Sequence, residues 1–323
     1  MRVTSGALVR ACRPRQWLKN VLVLAAPAAA GILTHPDVAG KAMVAFVCFC
    51  MLSSSTYLLN DVHDRAEDRH DPTRRNRPIA AGALSMRTAV AAALVLALGG
   101  LALAAAVHPA LAAVGAGYLA LTASYTLWLR SVAVADIAAV AGGFVLRALA
   151  GGAATSVPLS RWFMLVTSFG ALFVVTGKRY AELRRLAPTD RGVNGAPSEL
   201  GAWAPTDGGR EPAVRASNGS SVPAVRASLS AYSERYLRFV LGLAATVTTT
   251  GYCLWAFQRA HSAKLSWYEL TVIPFVLWLL RYALLLDGGE GRAPEELVLR
   301  DRFLMTMSAA WLTVFVTGVY VAG

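Results

Sequence analysis

Asn60, Asp61, Asp64 and Asp68, in the stretch NDVHDRAED, offer oxygen ligands at helical spacing. If the apolar run before them continues as a helix, positions 60, 64 and 68 rise on one face, with 61 beside them. Carboxylates gathered on one face repel one another unless a cation sits among them. Hard oxygen donors suit Mg2+, which keeps several waters and shares its coordination with substrate phosphates. A plainer alternative is that i,i+4 pairs such as Asp61–Arg65 solvate a helix end. Two features favour the cation. The acids begin where a membrane-length run ends, which is a costly place for charge. TRRNRP follows, and its Arg74, Arg75 and Arg77 can hold phosphates that a metal leaves partly unneutralised.

The elements that must position this stretch are apolar. Of the 323 residues, 56% are hydrophobic and 15% charged, against about 25% charged in an average soluble domain. That composition predicts an integral membrane protein, and apolar runs of helix length make it all-α, a single transmembrane domain over 1–323. Nine apolar windows approach transmembrane length, at 21–34, 42–59, 88–107, 110–129, 132–154, 162–177, 237–257, 268–286 and 303–321. The first is short and contains Pro27. A formal net charge of +12 would suggest nucleic acid in a soluble protein. Here the basic residues sit between apolar runs, where anionic head groups and phosphates explain them, so no nucleic-acid partner is expected. The four cysteines form no CxxC pair, which argues against a zinc site or a disulfide framework. The basic N-terminus leads into further apolar runs without a small-residue cleavage site, unlike a cleavable signal.

Lys and Arg concentrate in the N-terminal tail, the loop after the second window, Arg130, the segment 178–238 and the loop 292–302. The alternate loops hold only Lys41, Arg161, Arg259 and Lys264. This asymmetry predicts a multi-pass protein of the cell membrane, with its N-terminus and acid–base stretch in the cytoplasm and its C-terminus outside. Residues 187–230 are rich in Gly, Pro, Ala and Ser and predict a mobile cytoplasmic loop. Arg147 lies within the fifth window, so it should face the bundle interior and meet an acid or a phosphate. Asp136 shares its helix face but stands about three turns away, so the two should find different partners. Lys19 and Arg130 fall at the membrane edge, where each could bind substrate phosphate or snorkel to head groups. Tyr57, one turn before Asp61, either lines the same cavity or is an interfacial aromatic.

The pattern N-D-x-x-D-x-x-x-D at the cytoplasmic end of the second of nine spans resembles the first aspartate-rich motif of the UbiA superfamily of intramembrane prenyltransferases. The resemblance covers nearly the whole chain. It implies a UbiA-type helical bundle with a central cavity facing the cytoplasm. RPRQWLKNVLVLAAP, VADIAAVAGGFVLRALAGG and GKRYAEL resemble one branch in particular. That branch transfers 5-phosphoribose from 5-phosphoribosyl 1-pyrophosphate to a polyprenyl phosphate such as decaprenyl phosphate, on the way to the arabinose donor of cell-wall arabinogalactan. Prenyl-transferring members carry a second aspartate-rich motif after the sixth span. Here that region reads GKRYAELRRL, with Glu182 its only acid. A second acidic metal site is therefore not expected, and Lys178, Arg179 and Tyr180 look like direct phosphate ligands. Arg184 and Arg185 read equally well as ordinary positive-inside charges.

The resemblance implies Mg2+ held by Asn60 and Asp64, with Asp61 and Asp68 beside them, and implies that Asp61, Asp64 and Asp68 serve as the catalytic carboxylates. Arg74, Arg75, Arg77 and Lys178 would hold phosphates, and the acceptor's chain would lie along apolar helices in contact with membrane lipid. Homo-oligomerisation is compatible with the sequence. Two alternatives stay open. One is a prenyltransferase of the same fold using a polyprenyl diphosphate donor. The other is a transporter whose acidic turn binds a coupling cation, for which charges near mid-membrane would be expected.

Overall fold

The computed structural model describes residues 5–186, 227–259, 267–289 and 294–320. Among them the secondary structure is entirely helical. The chain opens with α1 (Ser5–Ala11), a 3-10 helical arm (Pro14–Leu24) and a short α2 (Ala25–Ala29). Then come α3 (Pro36–His63), α4 (Arg65–His70), α5 (Met86–Val107), α6 (Pro109–Leu127), a 3-10 turn (Leu129–Ser131), α7 (Ala135–Thr155) and α8 (Arg161–Leu186). The last third holds α9 (Ala227–Ser230), α10 (Glu234–Arg259), α11 (Trp267–Leu270), α12 (Val272–Asp287), α13 (Pro294–Arg300) and α14 (Arg302–Tyr320).

Seven described helical segments are long and apolar enough to cross a membrane: α3, α5, α6, α7, α10, the α11–α12 pair and α14. α8 is also 26 residues long, with Arg161 at one end and Lys178 and Arg179 near the other. The expected first span, 21–34, is not one helix. Leu24 ends the 3-10 arm, Pro27 sits in a five-residue α2, and Gly31 turns the chain at φ 77. Proline supplies no N–H to a helical ladder, and a left-handed glycine ends one. The expected loop 187–230 falls mostly outside the described residues. Its final residues, 227–230, form α9, whose Leu229 is buried.

Burial separates centre from rim. In α3 and α7, 56% of the membrane-length window is buried; in α5, α6 and α14 the share is 17%. Leu94, Val95 and Leu98 accordingly project from α5, as expected for a helix whose outer face meets lipid. α7 is the hinge of the packing. Ala150 and Ala154 pack with Val23, Phe49 and Leu111 in one core, while Ile137 and Ala141 join Phe173, Tyr232 and Leu279 in another. Gly151 lets the arm lie directly on α7, because a Cβ there would stand 1.9 Å from the Val23 carbonyl oxygen. Consecutive long helices run antiparallel. The last turns of α3, α6 and α8 and the first turns of α7 and α10 therefore gather at one end, and the chemistry-bearing residues gather with them.

Candidate active site

The acidic motif sits where α3 gives way to α4. Asp64 interrupts the helix, yet its N–H still bonds the Asn60 carbonyl at 2.9 Å, and the Asp68 N–H bonds the Asp64 carbonyl at 2.9 Å. The i,i+4 spacing thus survives the junction, and the motif's carboxylates turn inward. Asp61, Asp64 and Asp68 are 2%, 6% and 0% exposed. A cluster of carboxylates buried to this degree requires cations close by.

Those cations are four arginines from three places in the chain. Arg13, at the head of the arm, meets Asp61 Oδ1 at 2.5 Å, and Arg77 meets the same oxygen at 3.2 Å. Arg77 also reaches Asp68 Oδ2 at 2.7 Å, with Arg74 3.9 Å from Oδ1. Arg130, in the 3-10 turn after α6, donates to Asp64 Oδ1 at 2.6 Å. Burial works against the Arg130 charge, but its hydrogen bond and attraction to Asp64, aided by Glu67, hold its pKa above the ordinary value. Arg65, the i,i+4 candidate for Asp61, instead points its guanidinium at Met86. Arg74 is braced on Asp71 at 3.2 Å, while Arg75 is exposed. The four cationic side chains in the cluster keep 25–35% of their surface exposed. They touch solvent as well as the acids.

Asn60 is half-buried, and its Oδ1 accepts a hydrogen bond from Thr126 on α6 at 3.3 Å. Asp68 Oδ1 is buried without a hydrogen-bond partner. An orphaned carboxylate oxygen among hard oxygen donors is what a divalent cation would satisfy. Among the described residues no three His, Cys, Asp or Glu side chains converge closely enough to enclose an ion by themselves. The donors thus fit a site completed by water and phosphate rather than a closed protein cage.

A second polar cluster lies alongside. Arg179 on α8 is 3% exposed and pairs with Asp136 on α7 at 3.0 Å and Glu182 at 2.9 Å; its Nη2 donates to the Tyr125 hydroxyl at 3.3 Å. Tyr232 donates to Asp136 and accepts the Val134 N–H at 2.6 Å. Burial, and then the bond to Asp136, push the Tyr232 phenol's pKa up. Tyr125 and Thr126 are neighbours on α6, so that helix end touches both clusters.

The other residues singled out in the sequence fall in distinct places. Lys178, Arg179 and Tyr180 are successive on one helix, so about 100° separates each side chain from the next. Lys178 is exposed, and Arg179 enters the second cluster. Tyr180 turns away towards α10 and α12, with its hydroxyl 2.9 Å from Asp287 and accepting from Arg238 at 3.1 Å. Tyr57 lies beneath the Arg13 guanidinium, 5.1 Å from ring centroid to Cζ, and Lys19 is half-buried on the arm. Arg147 faces the bundle interior, as its sequence position implied. Its hydrogen bonds go to neutral groups instead of an acid: Asn20 Oδ1 at 2.8 Å, the Gly143 carbonyl at 2.7 Å and the Tyr118 hydroxyl at 2.9 Å. Asn20 in turn donates to Ser53 and Cys50 on α3. Arg147 and Asp136 thus have separate partners, as their spacing required.

Sequence reasoning missed Arg13, Thr126, Tyr125, Asn20 and Tyr118. A signal existed for some of them. Ser53, Ser54 and Ser55 interrupt the apolar middle of α3, and such a polar run marks where other polar groups must dock.

The UbiA prenyltransferase family model matches residues 21–188. A decaprenyl-phosphate phosphoribosyltransferase of Mycolicibacterium smegmatis is 42% identical over 98% of this chain and 93% of its own length. A protein of the same name from Corynebacterium glutamicum is 40% identical, covering 98% of this chain and 88% of its own. Among solved structures, a UbiA homologue from Archaeoglobus fulgidus bound to DMAPP and Mg2+ superposes with a TM-score of 0.66. It covers 96% of this chain and 97% of its own, at 14% identity, so that likeness speaks for the fold alone. Family match, full-length relatives and helical architecture agree: the chain belongs to the UbiA prenyltransferase family.

Proposed function

We propose that this protein transfers 5-phosphoribose from 5-phosphoribosyl 1-pyrophosphate to a polyprenyl phosphate such as decaprenyl phosphate, releasing pyrophosphate. The observation that carries the reading is the cluster of three buried carboxylates interleaved with four partly exposed guanidiniums. Such a cluster can exchange partners without stranding charge. Asn60, Asp61, Asp64 and Asp68 would hold Mg2+, which, when bound, supplies neutralising charge for the departing pyrophosphate. Arg74, Arg77 and Arg130, released from the acids, would turn to phosphate oxygens and favour the charge that builds there. Lys178, exposed at the same end, and Arg75 would extend that cationic surface.

The bond from ribose C1 to the pyrophosphate oxygen breaks with its electron pair leaving on pyrophosphate, and a phosphate oxygen of the acceptor bonds to C1. Direct displacement inverts C1 and gives a β-linked product. The acceptor phosphate is already anionic at neutral pH, so no general base is required. The relatives' names support these two substrates. The acceptor's chain would follow apolar surface. A cavity of about 680 Å3, lined by Val21, Leu22, Phe144, Phe163, Trp311 and Phe315 among others, offers it. The distribution of basic residues supports a cytoplasmic site and N-terminus in the cell membrane.

The test is an assay of purified protein with labelled phosphoribosyl pyrophosphate and decaprenyl phosphate. Magnesium-dependent formation of a phosphoribosyl lipid is expected. Transfer of a prenyl group from a polyprenyl diphosphate, with no phosphoribosyl product, would replace this reading with the other UbiA chemistry.

A further inference from the structure

Arg13 stands in a backbone conformation that disfavours it. Its φ of 53 and ψ of 61 lie in the left-handed region, which a residue other than Asn or Gly adopts at a cost and which persists where surrounding structure enforces it. The surroundings do enforce it. Ser54 on α3 donates to the Cys12 carbonyl at 3.2 Å and accepts from Trp17 Nε1 at 3.0 Å, clamping the chain on both sides of Arg13. Further along the arm, Asn20 is tied to Ser53, Cys50 and Arg147, and Val23 rests on Gly151. Many contacts thus aim one guanidinium at the motif.

That guanidinium does not complete an otherwise unpaired acid. Asp61 Oδ1 already accepts Arg77, so two cations converge on one oxygen. Arg13 also has a support that does not depend on Asp61, the face of Tyr57. If Asp61 turns to another cation, the Arg13 side chain remains in place, 28% exposed, with its planar fork of donors free.

We infer that Arg13 is a pyrophosphate-binding residue: the arm carries it to the acidic motif so that its guanidinium takes donor phosphate oxygens there. The inference rests on the phosphoribosyl transfer proposed above and adds to it a ligand from outside the motif and its basic loop.

The left-handed backbone supplies a clean variant. Asn and Gly adopt that conformation readily, so Arg13→Asn and Arg13→Gly remove the guanidinium without adding strain. The experiment titrates inorganic pyrophosphate with magnesium into the full chain by calorimetry, alongside donor and acceptor KM values. Both variants should bind pyrophosphate about tenfold or more weakly, as expected for a lost charge-assisted contact. The donor KM should rise in parallel and the acceptor KM should stay within twofold. Arg13→Lys, which keeps the charge but not the fork, should recover part of the loss. If wild type binds pyrophosphate and the Asn and Gly variants bind it equally well, Arg13 is a strut and the inference is overturned while phosphoribosyl transfer stands. If wild type itself binds no pyrophosphate, both readings fall together.

Discussion

The two polar clusters at one end of the bundle use the same residue types to opposite ends. Around Asp136, the central cation Arg179 is 3% exposed and its donors are committed to two carboxylates and a tyrosine. Around Asp61, Asp64 and Asp68 the relation is reversed. The acids are buried, the arginines are a quarter to a third exposed, one acid oxygen takes two cations and another has no hydrogen bond. A saturated cluster fixes helices in place, whereas one with spare oxygens and reachable cations can accept ligands of both signs. Both clusters are buried and charged, so burial of charge alone does not mark a site; unspent bonding capacity does.

The largest effect should come from the open cluster. Asp64→Ala should lower turnover by roughly a thousandfold or more, in line with loss of metal and transition-state charge stabilisation. Its melting temperature should stay within a few degrees, because Arg130 is 31% exposed and can hydrate. EDTA should silence wild type to a similar degree. Turnover that persists in the variant with EDTA present would remove the motif from the chemistry.

The closed cluster should show the reverse. Asp136→Asn leaves Arg179 short of one partner in a buried place, and breaking such pairs costs about 3–5 kcal/mol. A marked fall in thermal stability is expected, with turnover per folded molecule changed only a few-fold. Normal stability with lost turnover would make this cluster part of the site and erase the contrast.

Lys178→Ala probes the exposed residue beside Arg179. It should raise the donor KM by about three- to tenfold, the range of one exposed charge-assisted contact, and leave the acceptor KM unchanged. Equal losses for both substrates would detach Lys178 from the donor.

The smallest effect belongs to a third pair, between α12 and the start of α14. Arg281 reaches Asp301 at 2.7 Å, and this hydrogen bond, with the Leu304 N–H, holds the Asp301 carboxyl below its usual pKa. A depressed folded pKa contributes stability above the unfolded value, near 3.9, and loses it as pH falls through the folded value. Unfolding curves between pH 5 and pH 3 should therefore lose a small increment that Arg281→Gln lacks. Identical acid responses in the two proteins would show the pair to be too solvated to matter.

Much of this was legible in order along the chain. The spacing of Asn60, Asp64 and Asp68 placed them on one face, and the structure keeps that face across a break in the helix. Arg147 and Asp136 were separable by arithmetic on one helix. The divergence of Lys178, Arg179 and Tyr180 was also contained in their being consecutive, since a helix cannot aim three neighbours at one target. The window 21–34 looked like a span because hydropathy averages over a stretch and does not register that Pro27 and Gly31 end a helix within it.

The sequence by itself determined the apolar helices, the acidic face at the end of α3 and the basic residues that follow it, because these depend on residue type and on spacings within one helix or loop. Only the tertiary structure decided which cation meets which acid. Arg13 lies 48 residues from Asp61, and Arg130 lies 66 from Asp64. A pairing over such distances is set by how helices pack. Here it depends on Gly151 admitting the arm against α7 and on Ser53 and Ser54 pinning it to α3. A charge carries no record in its own neighbourhood of the partner that packing will bring to it.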